Sequence, residues 1–465
     1  MAETKPSPQG MVTSGEARLE RSMTLLGGIA LVAGAIIGMG IYALIAGIGA
    51  YAGNATWLAF TLAMVISMLG ITPLIHVASA IPRAGAGYIY TSRLLNPLVG
   101  TVASYWAILG GACTTVFVSL GLAGYIAAHL PWNIPIQVLA IILPALFFVL
   151  YLFRLRLATW VQILFVAQLI TALLIYGIVG SLSNPLHFSL SSPQGAGGLI
   201  MATVLCYSAW IGFQVIGETG EEMKNSRRNI PLALTIGGLV VLVIYILVGT
   251  TFIGSVPYDF EAIKCMTAPL LDTGASFLPR FWVIFLGIGA LSAGLTSFNA
   301  AAIALPRELY AQARDGIAPM FIGKVNERTR SPLNAVGIYF MFVIFLLSIG
   351  LDINFYAVMA AVGILMMTVT VSIAAIKLPS KFPDRYDKAY FKLSKPWLTT
   401  ASILSVLSCS LFIFLVLSEA PVVGLAYIGW TALVVVYHLL RTRWLESQGF
   451  NLKDRIRQIP GFDED

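Results

Sequence analysis

Residues 24–49 read TLLGGIALVAGAIIGMGIYALIAGIG, an apolar run without a single charged side chain. A helix needs about 20 apolar residues to cross the hydrocarbon core of a bilayer, so this run is long enough to span a membrane. Its centre contains glycines at positions 34, 38 and 40. Because glycine weakens a helix and leaves the backbone open to approach, the centre of this span is a candidate interruption.

Eleven further apolar runs follow along the chain. With the first they define predicted spans 1 to 12, at 24–49, 56–81, 99–129, 135–153, 158–181, 197–218, 230–254, 277–306, 333–351, 354–376, 398–418 and 422–440. Only 11% of the 465 residues are charged, whereas charged residues make up about a quarter of a soluble chain. The sequence therefore predicts an all-α integral membrane protein with twelve transmembrane helices.

Basic residues set the orientation of these spans. If the N-terminus is cytoplasmic, all but two of the 28 Lys and Arg residues fall on the cytoplasmic side, and only Lys264 and Arg280 lie outside. Cytoplasmic loops of membrane proteins carry such an excess, so both termini are predicted to be cytoplasmic and the plasma membrane is the expected location. The excess of Lys and Arg in the cytoplasmic loops explains the net charge of +7. Because these residues set the membrane orientation, we expect no nucleic-acid partner.

A second candidate interruption lies in span 6, at Ser208-Ala209-Trp210-Ile211-Gly212-Phe213. Spans 1 and 6 correspond if the chain contains two sets of five helices, and paired interruptions at such positions point to the binding site of a transporter. Half-helix N-termini present N–H groups to an anion, and unwound carbonyl groups suit a cation or an ammonium, so an amino acid matches both. The alternative is close helix packing through small residues.

Motifs after three of the spans resemble those of a known family. They are Pro82-Arg83-Ala84-Gly85-Ala86-Gly87-Tyr88 after span 2; Trp210-Ile211-Gly212-Phe213, Glu221-Glu222-Met223-Lys224-Asn225 and Asn229-Ile230-Pro231 around the end of span 6; and Arg307-Glu308-Leu309-Tyr310, Ala313-Arg314-Asp315-Gly316 and Lys324-Val325-Asn326 after span 8. Spans 1 to 9 and these motifs, taken in order, resemble the amino acid–polyamine–organocation superfamily of secondary transporters.

The resemblance implies a 5+5 inverted-repeat core of the leucine-transporter type, with discontinuous helices 1 and 6. The chain then divides into a cytoplasmic N-terminal tail (1–22), two five-helix repeats (23–181 and 182–376), a cytoplasmic loop with peripheral helices 11 and 12 (377–441), and a cytoplasmic C-terminal tail (442–465).

The resemblance also implies that the substrate binds backbone groups at the two interruptions. The expected groups are the N–H groups of Gly38, Met39 and Gly40 for the carboxylate, and the carbonyls of Ile37, Ser208, Ala209 and Ile211 for the amine. Trp210 stands where relatives cover the substrate with an aromatic ring; the alternative is a packing aromatic between helices. Met39 departs from the family pattern, in which a hydroxyl residue is usual.

Sodium is the expected coupling ion. Span 5 lacks the lysine that replaces sodium in some relatives, and Gln168 lies near the equivalent position. Span 8 contains Ala293-Gly294-Leu295-Thr296-Ser297, which resembles the sodium-binding run of sodium-coupled relatives. The expected ligands are oxygens of Gly34, Ile37, Ala293, Thr296 and Ser297. The alternative is that both hydroxyls bond back to carbonyls of their own helix.

Two ionisable residues are candidates for proton coupling or gating, as an alternative to sodium coupling. Glu218 lies in span 6, and an ionisable residue inside a membrane segment is a functional candidate. His76 lies near the end of span 2, where relatives often have a glutamate. The alternatives are an ion pair between Glu218 and a loop arginine, and a packing role for His76.

The sequence therefore predicts a secondary active transporter of a small amino acid-like solute, working by alternating access, and not an enzyme. No acidic side chain lies at the interruptions, which favours a neutral amino acid because a cationic side chain would lack a partner there. Proton-coupled symport, amino acid/polyamine exchange and a non-transporting nutrient sensor are the alternatives. No cofactor is expected beyond sodium, the lipid bilayer is the expected surrounding, and the oligomeric state is left open.

Overall fold

A computed structural model describes residues 23–128, 134–152, 159–214, 223–327, 331–389, 391–452 and 456. Within these ranges the chain is almost wholly helical and forms no β-strand; two isolated bridges pair Met23 with Met223 and Asn326 with Ser331. Glu218, one of the predicted coupling residues, lies outside the described ranges.

Seventeen α-helices are formed by the described residues. They are α1 (Leu25–Ala52), α2 (Thr56–Ala80), α3 (Ala86–Leu94), α4 (Pro97–Ala127), α5 (Ile136–Leu152), α6 (Thr159–Ser183), α7 (Gly195–Ala209), α8 (Ser226–Gly254), α9 (Phe260–Lys264), α10 (Pro269–Gly274), α11 (Arg280–Ala304), α12 (Pro306–Asp315), α13 (Leu333–Ile349), α14 (Ile353–Lys381), α15 (Pro383–Lys388), α16 (Lys395–Glu419) and α17 (Pro421–Ser447). Short 3-10 helices occur at Gly53–Ala55, Ile211–Gln214 and Met320–Gly323.

Local capping chemistry fixes where two of the long helices begin. The N–H of Val99 donates to Asn96 Oδ1 at 2.8 Å at the start of α4, and the N–H of Asn354 donates to Asp352 Oδ2 at 2.8 Å at the start of α14. Each bond satisfies a backbone donor that the first turn of a helix leaves unpaired.

Eight helical stretches of the described chain are long and apolar enough to cross a membrane. They are Leu25–Ala80, which joins α1 and α2, and Pro97–Ala127, Val161–Ser183, Arg228–Gly254, Arg280–Asp315, Ile353–Lys381, Lys395–Glu419 and Pro421–Ser447. α5, α7 and α13 are shorter apolar helices. In the described part of the chain, every predicted span overlaps one of these elements, which confirms an all-helical protein with several apolar spans. The number of twelve membrane crossings stays a prediction.

α1 lies at the centre of the bundle, where α7, α8 and α11 pack along it. Ile36, Met39 and Ile41 of α1 are at most 1% exposed. By contrast, Leu407 of α16 is 62% exposed and Leu425 of α17 is 69% exposed. Apolar side chains in such positions face lipid in a membrane protein, so α16 and α17 lie at the periphery.

The helix contacts recur in pairs. α1 packs on α8 and α7 packs on α2; α4 packs on α14 and α11 packs on α6; α1 packs on α6 and α7 packs on α14. Spans 1 to 5 can be exchanged with spans 6 to 10, so that span 1 takes the place of span 6, span 2 takes the place of span 7, and so on. This exchange turns the first contact of each pair into the second. Two structurally related sets of five helices would produce such a pattern, and the inverted repeat itself stays a prediction.

Candidate functional site

α1 is interrupted at Gly38. The backbone angles at this residue are φ 12° and ψ −147°, far from the helical region, and helix continues on either side. Glycine tolerates this conformation because it has no Cβ. Since each helix carbonyl normally pairs with the N–H four residues later, the break disturbs the pairing across it. The interruption predicted for span 1 is therefore present.

Span 6 is interrupted as well. α7 ends at Ala209, Trp210 forms a turn, and Ile211–Gln214 continue as a 3-10 helix. The last four carbonyl groups of an α-helix have no partner within that helix. The Trp210 N–H donates to one of them, the Tyr207 carbonyl, at 2.9 Å. A substrate-binding role for the other carbonyls at this end of α7 stays a prediction.

The two interruptions touch each other. A Cβ on Gly40 would lie only 2.8 Å from Ala209 Cα and 3.0 Å from Ala209 Cβ. The hydroxyl of Tyr245, in α8, lies 2.6 Å from the Ile36 carbonyl oxygen and 2.9 Å from the Ala209 carbonyl oxygen. Sequence reasoning missed Tyr245, because nothing near it in span 7 distinguishes it from the other tyrosines of the chain.

A cavity of about 70 Å³ opens at this junction, which is room for about five water molecules. The interrupted helices contribute Ile36, Gly40, Ser208, Ala209, Ile211 and Gly212 to its lining. The other described lining residues come mainly from α4 and α11, with Ile364 from α14, and none of these described residues is charged. Among the lining residues that the structure describes, the polar side chains are the hydroxyls of Thr114, Thr115, Ser208 and Ser297.

Four of the eight predicted substrate-binding residues line this cavity. Gly40, Ser208, Ala209 and Ile211 line it, whereas Ile37, Gly38, Met39 and Trp210 do not. The backbone roles predicted for all eight residues stay predictions.

Ser297 of α11 reaches the break in α1. Its Oγ accepts a hydrogen bond from the N–H of Met39 at 3.1 Å, and a Cβ on Gly38 would collide with the same hydroxyl. The Met39 N–H is one of the donors predicted for a substrate carboxylate. A serine oxygen meets it in this structure, so a carboxylate must share or displace that oxygen to bind there.

The predicted sodium ligands lie on two helices that pack together, α1 and α11. Thr296 Oγ1 donates to the Ala293 carbonyl at 3.0 Å, so two of the five predicted ligands are bonded to each other. Gly34 and Ile37 precede the break in α1. The bond within α11 is the arrangement expected of a structural hydroxyl, and sodium binding stays a prediction.

Trp210 packs inside the protein and is 1% exposed. Its ring meets the ring of Tyr245 edge to face, with centroids 5.5 Å apart. This geometry matches the alternative of a packing aromatic, and the role as a cover over the substrate stays a prediction.

His76 contacts the segment after α14 and is not part of the cavity lining. Its Nδ1 accepts from the N–H of Leu393 at 3.3 Å, and its ring lies 5.3 Å from that of Tyr386. A coupling or gating role for His76 therefore stays a prediction.

The motifs after spans 2 and 8 contact each other. The Glu308 carboxylate, on α12, accepts from the N–H groups of Gly87 and Tyr88, each at 2.9 Å, and from the Ser104 hydroxyl at 2.5 Å. Those N–H groups belong to the first turn of α3, which has no intrahelical partners for them. Glu308 therefore caps α3. A Cβ on Gly87 would lie 2.8 Å from the carboxylate, so glycine at this position leaves room for Glu308 to approach the backbone.

The other ends of α3 and α12 are joined by a buried ion pair. Arg93 Nη2 donates to Asp315 Oδ1 at 2.8 Å, and Arg93 Nη1 donates to Asp315 Oδ2. The two side chains are at most 1% exposed. Bidentate pairs of this kind fix geometry as well as charge, so α3 and α12 are tied at both ends.

A helical membrane bundle in which two interrupted helices meet at a small cavity is the architecture of a secondary carrier. The profile of the amino acid permease family matches residues 23–439. The branched-chain amino acid permease BcaP of Bacillus subtilis is 26% identical and covers 94% of this chain and 97% of its own length. The chain therefore belongs to the amino acid permease family.

Other relatives carry different names. The vacuolar cationic amino acid transporter 4 of Arabidopsis thaliana is 25% identical over 80% of this chain and 65% of its own length. The methylthioribose transporter of Bacillus subtilis is 25% identical over 90% of this chain and 92% of its own length. All three are permeases or transporters, which confirms the predicted resemblance and identifies the chain as a permease and not an enzyme.

Proposed function

We propose that this permease carries a neutral amino acid across the membrane by alternating access. The described residues that line the cavity at the two helix interruptions are all uncharged, and this observation carries the proposal. Backbone N–H and carbonyl groups there suit the two charges of the amino acid. Its side chain would meet apolar surface such as Phe117, Ile211 and Ile364. A cationic side chain would find no carboxylate partner among the described lining residues, and burying an unpaired charge is costly.

The relatives support an amino acid as substrate but differ in its side chain. One is named for branched-chain amino acids and matches nearly the whole chain. Others are named for cationic amino acids, and the first of these matches over 65% of its length. The cavity lining favours the neutral class.

Sodium is the coupling ion in this proposal, and proton coupling through Glu218 is the competing hypothesis. Contact between α1 and α11 supports sodium, because it brings Ser297 to the break at Gly38. The hydrogen bond from Thr296 to Ala293 supports the competing view that the hydroxyls are structural.

The proposed carrier lies in the plasma membrane with twelve membrane helices, a 5+5 inverted-repeat core and both termini in the cytoplasm. The one-sided distribution of Lys and Arg supports this orientation. The paired helix contacts described above support the inverted repeat.

Uptake into proteoliposomes tests the proposal. We expect saturable uptake of radiolabelled leucine or alanine, driven by a sodium gradient at fixed pH, with weak competition by arginine and putrescine. Saturable uptake of arginine or putrescine without a response to leucine or alanine would overturn the neutral class. Binding of amino acids without any uptake would favour the nutrient sensor.

A further inference from the structure

Tyr245 connects the two interrupted helices from outside the cavity. Its hydroxyl lies within 3 Å of two carbonyl oxygens, those of Ile36 and Ala209. Both of these residues line the cavity, whereas Tyr245 does not. Tyr245 can therefore act on a bound solute only through the residues that it holds.

The two carbonyls are acceptors that the interruptions make available. The helical partner of the Ile36 carbonyl is the N–H of Gly40, which lies beyond the non-helical Gly38. Ala209 is the last residue of α7, where carbonyls have no intrahelical partner. A buried carbonyl without a donor is destabilising. The phenol of α8 thus supplies a donor at the point where both helices need one.

The position of the hydroxyl is fixed by packing. Tyr245 is fully buried, and its ring lies 5.3 Å from that of Phe60 and 5.5 Å from that of Trp210. A hydroxyl has one proton for two acceptors, so one carbonyl retains acceptor capacity at any moment. Two adjacent carbonyls held in this way suit an ammonium group or another cationic donor.

We propose that Tyr245 is a positioning residue for substrate binding, which holds the carbonyls of Ile36 and Ala209 at the spacing that the substrate ammonium requires. This inference rests on the proposed transport of an amino acid. Its hydroxyl acts in the way a bound cation would act, by drawing together two carbonyls from different helices. A purely structural tyrosine would support folding without affecting the solute.

The test compares Tyr245→Phe with a matched control, Tyr427→Phe. Tyr427 is also a buried tyrosine, 2% exposed, and its hydroxyl donates to a helix carbonyl, that of Met359, at 2.7 Å. It does not line the cavity. Both variants lose one buried hydrogen bond, so they are expected to lower the melting temperature by similar amounts.

Calorimetric binding of leucine to the purified full-length protein gives the first readout. We expect Tyr245→Phe to raise the Kd about tenfold and Tyr427→Phe to change it less than twofold. Equal Kd values for Tyr245→Phe and the wild type, or equal increases in both variants, would overturn the inference.

Hydrogen–deuterium exchange without substrate gives the second readout. We expect faster exchange in peptides covering 36–42 and 205–214 in Tyr245→Phe but not in Tyr427→Phe. If exchange in both peptides of Tyr245→Phe equals that of the wild type, Tyr245 does not position these segments. This conclusion holds whether or not the wild-type protein binds a neutral amino acid. Failure of the wild type to bind any neutral amino acid, with the exchange difference present, would instead refute the proposed substrate.

Discussion

Gly40 offers the sharpest test of the contact between the two interruptions. An alanine Cβ at this position would lie 2.8 Å from Ala209 Cα, whereas ordinary contacts begin at 3.4 Å, so α1 and α7 must move apart by about 0.6 Å. A flexible side chain could relieve this contact by changing its rotamer, but the backbone atom Ala209 Cα cannot. Overpacking of this kind costs about 1–3 kcal/mol, and about 1.4 kcal/mol corresponds to tenfold in affinity.

If substrate binding requires α1 and α7 to be as close as they are here, the bound state bears this cost. We therefore expect Gly40→Ala to weaken binding by up to roughly 150-fold and Gly40→Val to abolish it. The folded protein should survive, because alanine gains up to about 1 kcal/mol over glycine in helix propensity. Gly429→Ala in α17 is the matched control, since its Cβ would meet nothing within 4 Å. It should leave the Kd unchanged and raise the melting temperature slightly.

Binding calorimetry and size-exclusion chromatography on the same preparations check both variants. If Gly40→Val elutes as a folded monodisperse protein and binds and transports leucine like the wild type, the cavity between α1 and α7 is not the substrate site.

Two further predictions concern the coupling ion and the buried ion pair. Thr296→Ala combined with Ser297→Ala should remove the sodium dependence of uptake, while Glu218→Gln should leave it unchanged. If the double variant keeps its sodium response and Glu218→Gln loses the pH dependence of uptake, proton coupling is favoured instead. Asp315→Asn should destabilise the protein by about 3–5 kcal/mol because it leaves the buried Arg93 without a countercharge, and thermal unfolding should show a lower melting temperature. Replacing both residues with leucine should recover much of that loss.

The spans could be predicted from sequence because lipid imposes a strong constraint. Every backbone group in the bilayer core must be satisfied internally, so long apolar runs become helices. The same constraint makes glycine-rich breaks visible, and the predicted interruptions coincide with Gly38 and with the end of α7 at Ala209. Both signals are local in the chain, which is why a single sequence reveals them.

Tyr245 and Glu308 could not be assigned their contacts from sequence. Tyr245 is far along the chain from Ile36, and Glu308 is separated from Gly87 by 221 positions. No local pattern specifies which carbonyl a buried hydroxyl meets or which helix a carboxylate caps. The bond between Thr296 and Ala293 matches the structural alternative that the sequence offers, because a hydroxyl in a helix has few local partners.

The pairing of α3 with α12 has a consequence for biosynthesis. Arg93 and Asp315 are 222 positions apart, and at about 5–20 residues per second the ribosome needs roughly 10–45 s to make that stretch. During that interval the partners of Arg93 and of the first turn of α3, which are Asp315 and Glu308, have not yet been synthesised. Nascent chains that stop before α12 carry these groups unsatisfied, so they should be selectively degraded. The contacts between α3 and α12 therefore form only after the chain has been made as far as Asp315.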